Sequence, residues 1–472
     1  MNYFLNEFVL DLQKNGVFIT KEQAEEMFLP VKELVEDVHH TASLTDLVSV
    51  LVDSYQDRIT SILNNRDLIP GYLIALQVGD MNIQFMDGFR DFKKKERITE
   101  NSLFDIASCS KLFTQIIIYN LVHEGAFSFD SKIGDLDKRF TYLEHLKVGD
   151  ITEFLVEFKT DKGLDEVKDL EEFYKYLYHV KMNSKKKYNY NDIGMMVLKE
   201  VMEVVTGKSY LELLDKYIIS KLDLKNTFAA VLEERLIDVT ATPNADIGFV
   251  NDPKSIILGG TSGHAGIFAN GEDLLTVSKN LFVSPEFFPS CYVKDLYEEN
   301  CKNSSRAKMG NVFIRHKDGL SRSFVSNLQS STSFQVQGST RTTFGASKFV
   351  LSDGSKYINS NAILLNPCSM DLEYAKDLER KINVELFEKW VESDPLSRPF
   401  SHYSYTRLVR NLNISGKQMQ VVDPRLMVDR KLTSDLIMTI LSELSLKLMF
   451  LDQLLKFYEN RYEEVKILKK SK

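Results

Sequence analysis

The chain has few of the residues that hold a fold together by covalent or metal bonds. Its 472 residues include four cysteines, Cys109, Cys291, Cys301 and Cys368. They form no Cys-x-x-Cys pair and no zinc spacing, which argues against a metal site. Long apolar runs are absent too. No stretch of about 18 uncharged apolar residues occurs, so no membrane span is expected. Met1 to Lys14 has Asn, Glu and Asp but no apolar centre, so it does not read as a secretory signal. The chain therefore reads as cytoplasmic, with reduced thiols. Clustered positive charge is scarce. The net charge is −8, and the basic runs are limited to Lys185-Lys186-Lys187 and the extreme C-terminus. That excludes a general nucleic-acid binder, which needs grouped Lys and Arg to neutralise phosphates. What is present is ordinary: 43% apolar and 27% charged residues describe a globular chain long enough for a large core.

Hydrophobic periodicity organises the chain. Residues 1–43 read as a helical N-terminal extension, in which Thr20 and Gln23 form a capping box. Leu44, Leu47, Val48, Leu51, Val52, Tyr55, Ile59 and Leu63 mark a helix. Tyr72–Val78 and Ile83–Phe85 read as a hairpin around Gly79-Asp80. A helix from Ser110 ends at Gly125, and another from Asn191 stops at Gly207. A glycine-rich loop covers residues 259–266, with a helix from about Glu272. Residues 301–333 are polar, with a strand inside. Phe334–Val350 and Tyr357–Leu365 read as strands, and Leu372–Val391 as a helix. Residues 44–392 thus form the main domain. Residues 393–472 read as a mainly helical appendage, striped by Leu436, Ile437, Ile440, Leu441, Leu444, Leu448, Leu451 and Leu455. Such a stripe is usually core, and otherwise a face through which a homo-oligomer forms.

Three short stretches carry chemistry. Ser-x-x-Lys occurs at Ser108, Ser184 and Ser305, but only Ser108 precedes a strongly apolar helix, with Leu112, Phe113, Ile116, Ile117, Ile118 and Leu121. A buried helix N-terminus offers free N–H groups and a positive dipole end to a developing oxyanion. The i, i+3 spacing places Lys111 on the face of Ser108. Partial desolvation lowers the pKa of Lys111 and lets it take the serine proton. The bland alternative is a serine cap beside a solvated lysine. At Tyr190-Asn191-Asp192 a phenol and a carboxylate enter a helix together. Tyr190 suits proton shuttling, and the alternative is a packed tyrosine with an aspartate cap. At Gln337-Gly338-Ser339 a glycine within a strand marks close approach of another backbone, and such a strand supplies an oxyanion N–H; ordinary turn chemistry is the alternative. His264 invites a Ser-His-Asp triad, disfavoured because Lys111 and Tyr190 already supply proton handling. Cys109 reads as a small buried residue.

Taken in order, these stretches resemble the β-lactamase-related serine hydrolases, a family of class C β-lactamases, DD-peptidases, D-amino-acid peptidases and esterases. The matching residues are Ile69-Pro70-Gly71-Tyr72, Gly88, Ser102 through Lys111, Tyr190 through Gly194 running to Tyr210, and Leu258 through Phe268. The resemblance spans roughly residues 45–370. It implies the penicillin-recognising α+β fold: an antiparallel sheet flanked by helices, plus an all-helical subdomain. It implies Ser108 as acylated nucleophile, Lys111 and Tyr190 handling protons, Asp192 holding Lys111, and the N–H groups of Ser108 and Ser339 as oxyanion hole. No metal and no organic cofactor are implied. Two departures stand out. Val336 occupies the position of the cation in the family's Lys-Thr-Gly or His-Thr-Gly motif, and Gln337 that of its threonine. Arg341 follows three residues beyond Gly338 and is a candidate replacement for the lost charge, unless it is a surface residue of the strand. The region Asp150–Leu164 lacks the family's His-Thr-Ser-Gly stretch and has Glu157-Phe158-Lys159-Thr160 instead. The expected function is a serine hydrolase acting on a small-molecule ester or amide. The rival expectation is a module that binds ligand without turnover.

Overall fold

The structure, a computed structural model, describes residues 2–17, 19–38, 43–63, 69–91, 94–185, 188–229, 231, 233–242, 247–300, 303–314, 325–366, 409–414, 417–422 and 431–470. Its frame is a six-stranded antiparallel sheet. In chain order the strands are β1 (Gly71–Val78), β2 (Met81–Asp91), β3 (Glu96–Arg97), β4 (Ser333–Gln337), β5 (Thr342–Val350) and β6 (Lys356–Leu365). In space the order is β4-β5-β6-β1-β2-β3. The expected hairpin is β1–β2, closed by the pair Val78↔Met81 around Gly79, whose φ of +58° suits the tight turn.

Strand alternation sends side chains to two separate cores. On β1, Leu73 and Ala75 face one side with Ala362 and Leu364 of β6. Tyr72, Ile74, Leu76 and Val78 face the other with Ile363 and Leu365. Both faces are apolar because helices cover both. The front core takes in α4 (Ser110–His123), α5 (Ile193–Thr206) and α6 (Gly271–Val283), with α6 lying on the sheet and α5 packed on α4. Gly271 opens α6 where it lies flat on β1, since a Cβ there would meet the Leu73 side chain at 2.4 Å. The back face carries α1 (Asn2–Lys14), α2 (Lys21–Val38), α3 (Leu44–Leu63) and α7 (Lys431–Lys470).

Several local expectations hold. The Thr20–Gln23 capping box forms in both directions, at 2.9 and 3.2 Å. The α3 period buries Leu47, Leu51, Tyr55, Ile59 and Leu63. Gly207 ends α5 at a left-handed φ of +66°. The residues read as an N-terminal extension and a C-terminal appendage share one layer. Phe8, Phe28 and Phe450 meet one another in edge-to-face and tilted ring contacts, and α7 packs on β1, β6, α2 and α3. Ile437, Ile440, Leu441, Leu444, Leu448 and Leu451 are buried within the chain itself. The helix expected at Leu372–Val391 lies outside the described residues. Among those residues, no helix is long and apolar enough to cross a membrane.

Candidate active site

The strand Phe104–Asp105 pairs with Ile267–Ala269, and it leads into a 3-10 turn, Ala107–Cys109, at the head of α4. Ala107 has φ of +45°, a conformation disfavoured for a residue with a side chain. The Asp105 carboxylate holds it there by accepting the Ala107 N–H at 2.7 Å, while its other oxygen takes the Asn251 N–H at 2.7 Å. Burial pushes the Asp105 carboxyl up to about 6, against the pull of these two bonds. The first bond inside the turn is Cys109 N–H to the Ile106 carbonyl. The Ser108 N–H therefore has no partner within the turn.

Behind Ser108 lies Lys111, fully buried. Its Nζ donates to Ser108 Oγ at 2.9 Å and to the His264 carbonyl at 3.2 Å. It also meets Asp192 Oδ1 at 2.9 Å and sits 4.8 Å from the Tyr190 ring centre. Here the sequence expectation of a lowered lysine pKa is overturned. Burial does oppose the charge, but attraction to Tyr190 and Asp192 outweighs it and the pKa rises. Lys111 thus stands beside Ser108 as a cation that donates a hydrogen bond.

Asp192 is available for this contact because its neighbour does the capping. Asn191 Oδ1 accepts the Gly194 N–H at 2.8 Å, and the Asp192 side chain makes no cap bond. Burial alone would raise the Asp192 pKa; Lys111, then His264 and Lys254, bring it well below the usual carboxylate range. The charges continue inward. Lys254 Nζ lies 3.3 Å from both Asp192 and Asp252, and Asp252 meets His264 Nε2 at 2.9 Å. Burial opposes ionisation of Asp252, but His264 and then Lys254 hold its pKa down to about 2. Asp192, Asp252 and His264 bring ligand atoms within 4.8 Å of one another, a donor set suited to a metal. Lys254 between the two carboxylates already supplies the positive charge a metal would bring. His264 serves Lys111 through its backbone and Asp252 through its ring, which does not make a Ser-His-Asp triad.

Tyr190 stacks on Phe154, with ring centres 5.5 Å apart and planes 7° off parallel. Phe154 belongs to the 150–164 region that departs from the expected pattern, so that region positions the phenol. The glycine of the third stretch touches the turn that carries Ser108: a Cβ on Gly338 would lie 2.3 Å from the Ile106 carbonyl oxygen. Ser108, Tyr190, Gln337, Gly338 and Ser339 line one cleft of about 380 Å³. Val336 does not line it and packs in the front core. Arg341 does not line it either. It is 5% exposed, in the β4–β5 turn at φ +64°, and so is no surface residue. Sequence reasoning missed Arg306, Asn311 and Phe313, which complete the cleft wall. The Ser305-x-x-Lys308 match was their nearest signal. Cys109 is buried and Cys291 exposed, both as free thiols.

Residues 57–286 match the Beta-lactamase family model. The teichoic acid D-alanine hydrolase of Staphylococcus aureus is 24% identical over 201 residues, 38% of this chain and 50% of that protein. The chain thus spans about half the length of the curated relatives it matches. The crystal structure of FmtA from Staphylococcus aureus is similar with a TM-score of 0.52 and 18% identity, over 74% of this chain and 95% of that one. That of EstCE1, a hydrolase with promiscuous acyltransferase activity, gives 0.52 and 14%, over 68% and 96%. The fold is that of the β-lactamases and transpeptidases.

Proposed function

We propose that this chain, related to the β-lactamases and sharing the fold of those serine hydrolases, forms an acyl-enzyme on Ser108 with a small ester or amide. The observation that carries the reading is the Lys111 contact: a fully buried cation 2.9 Å from a half-buried serine hydroxyl at the rim of a cleft.

The substrate carbonyl sits against the N–H groups of Ser108 and Ser339. Ser108 Oγ attacks the carbonyl carbon, and its proton passes to Tyr190, which enters the step as the phenolate and leaves it as the phenol. The carbonyl π pair moves to oxygen, where the two N–H groups hold the charge. Collapse breaks the bond to the leaving group, which takes the proton from Tyr190. Water then attacks the acyl-enzyme by the same route, giving the acid and restoring Ser108. Lys111 remains a cation and stabilises negative charge on Oγ and on Tyr190 during transfer. Val336 at the motif's cationic position disfavours β-lactam and carboxypeptidase substrates. The name of the Staphylococcus aureus relatives adds D-alanyl groups as a candidate acyl portion.

A fluorophosphonate probe tests the reading. Intact mass spectrometry is expected to show one adduct in the native protein and none in Ser108→Ala, with 4-nitrophenyl acetate turned over by the native protein alone. No adduct and no turnover would overturn it and leave a ligand-binding module.

A further inference from the structure

We infer that Lys254 is a positioning residue for the acyl transfer: it holds one oxygen of Asp192 and thereby keeps the other on Lys111. This rests on the acyl-transfer reading above. Asp192 stands at the head of α5, where an aspartate commonly accepts a backbone N–H. Here Asn191 takes the Gly194 N–H instead, and the Asp192 side chain makes no cap bond. The torsion that turns an aspartate carboxylate is broad, so a contact at one oxygen leaves it free to swing. Two lysines restrain it, one at each oxygen. Lys111 Nζ lies 2.9 Å from Oδ1, and Lys254 Nζ lies 3.3 Å from Oδ2.

Lys254 is itself fixed, and by groups other than the reacting ones. It is buried in the short helix Pro253–Ile257. Its Nζ donates to Asp165 Oδ1 and lies 3.3 Å from Asp252 Oδ2. Asp252 cannot follow a moving lysine, because its other oxygen accepts the Ser255 N–H at 3.0 Å and meets His264 Nε2 at 2.9 Å. The loop that carries His264 is wedged between α4 and α5. Thr114 of α4 donates to the Gly263 carbonyl at 2.6 Å, and a Cβ on Gly263 would meet the Lys199 Cβ of α5 at 2.9 Å. Lys254 is thus placed by reference to the same two helices that bring Lys111 and Asp192 together.

Its charge matters as much as its place. Burial opposes the charge on Lys254, but the Asp165 bond, then attraction to Asp252 and Asp192, outweighs it and the pKa rises. Lys254 therefore stays a cation across the neutral range. Without it, the carboxylates of Asp192 and Asp252, whose oxygens lie within 4.8 Å of each other, would repel, and like charges that close do not stay where an opposite charge had held them. Asp165 adds the outermost restraint, from the 3-10 turn Leu164–Glu166. Its side chain is 62% exposed, so water screens its pull and its share of the hold is the smallest of the three.

The test is a double-mutant cycle read by the rate at which a fluorophosphonate labels Ser108. Lys254→Met is expected to slow labelling about tenfold in the native background and less than about twofold in Asp192→Asn, where the carboxylate it holds is gone. Lys254→Arg, which returns a cation to the same carboxylates, should recover most of the lost rate. Asp165→Asn should cost less than Lys254→Met. Should Lys254→Met fail to fold, Lys254→Met combined with Asp165→Asn removes one charge of each sign and takes its place in the cycle. Equal slowing in both backgrounds would make Lys254 a support of the fold alone and overturn the inference. So would a native rate in Lys254→Met, or a Lys254→Arg rate as low as that of Lys254→Met. Each of these leaves the acyl-transfer reading intact. A native protein that takes no label defeats that reading instead, and the role of Lys254 falls with it.

Discussion

The proposed acyl transfer depends on Lys111, and the charge state of that residue follows from its neighbours. Because its pKa is raised, the contribution of its charge is complete below the ordinary lysine value of about 10.4 and is lost as pH rises through the raised value. Fluorophosphonate labelling should therefore persist to about pH 10 and fall only beyond it. Asp192→Asn removes one of the attractions while burial still opposes the charge, so the alkaline limb should move to lower pH. A limb that stays in place would show that Tyr190 alone sets the lysine. The carboxylates give the opposite sign. With its pKa held down to about 2, Asp252 stabilises the fold fully above the ordinary aspartate value of about 3.9 and loses that contribution as pH falls toward 2. Asp252→Ala should flatten this acid-side slope in urea unfolding measured at pH 2 to 5.

At the scale of elements, the site depends on how closely the β4–β5 turn approaches the Ser108 turn. Gly338→Ala places a methyl 2.3 Å from the Ile106 carbonyl oxygen, so the two turns must separate. Labelling of Ser108 is expected to slow by about a hundredfold, the usual cost of losing an oxyanion donor, with unchanged far-UV circular dichroism. A rate within threefold of native would mean that the β4–β5 turn supplies no donor. Gly338 was legible as a point of close approach, but the structure ends β4 at Gln337 and places this glycine in the β4–β5 turn, not inside a strand. Also legible were the capped helices, the Gly79-Asp80 hairpin and the three stretches now gathered around Ser108, since each rests on local periodicity or turn chemistry. The direction of the Lys111 shift was not legible. It depends on Tyr190 and Asp192, some 80 positions away, winning against desolvation. Arg306 and Asn311 were hidden for another reason: a polar, Ser-rich stretch has no period, and only its pairing with β4 turns it toward the cleft.

For the whole molecule, the back layer matters as much as the site. Its helices come from both ends of the described chain and bury one entire face of the sheet. Leu448 is fully buried there, so Leu448→Ala should cost about 2–5 kcal/mol in urea unfolding, and a cost under about 1 kcal/mol would make α7 an ornament to the fold. Deleting residues 431–472 should leave a protein that scatters light and labels poorly, because Ile74, Leu76 and Ile363 lose their cover. A monomeric, fully labelled product would contradict this. The same arrangement sets a timetable for biogenesis. The ring of Phe450 that meets Phe8 and Phe28 is translated more than four hundred codons after Phe28. At roughly 5–20 residues per second, the 85 residues from Leu365, where β6 ends, to Phe450 leave the completed apolar sheet uncovered for about 4–17 seconds. A chaperone holding that nascent surface would dissociate only after α7 emerges from the ribosome.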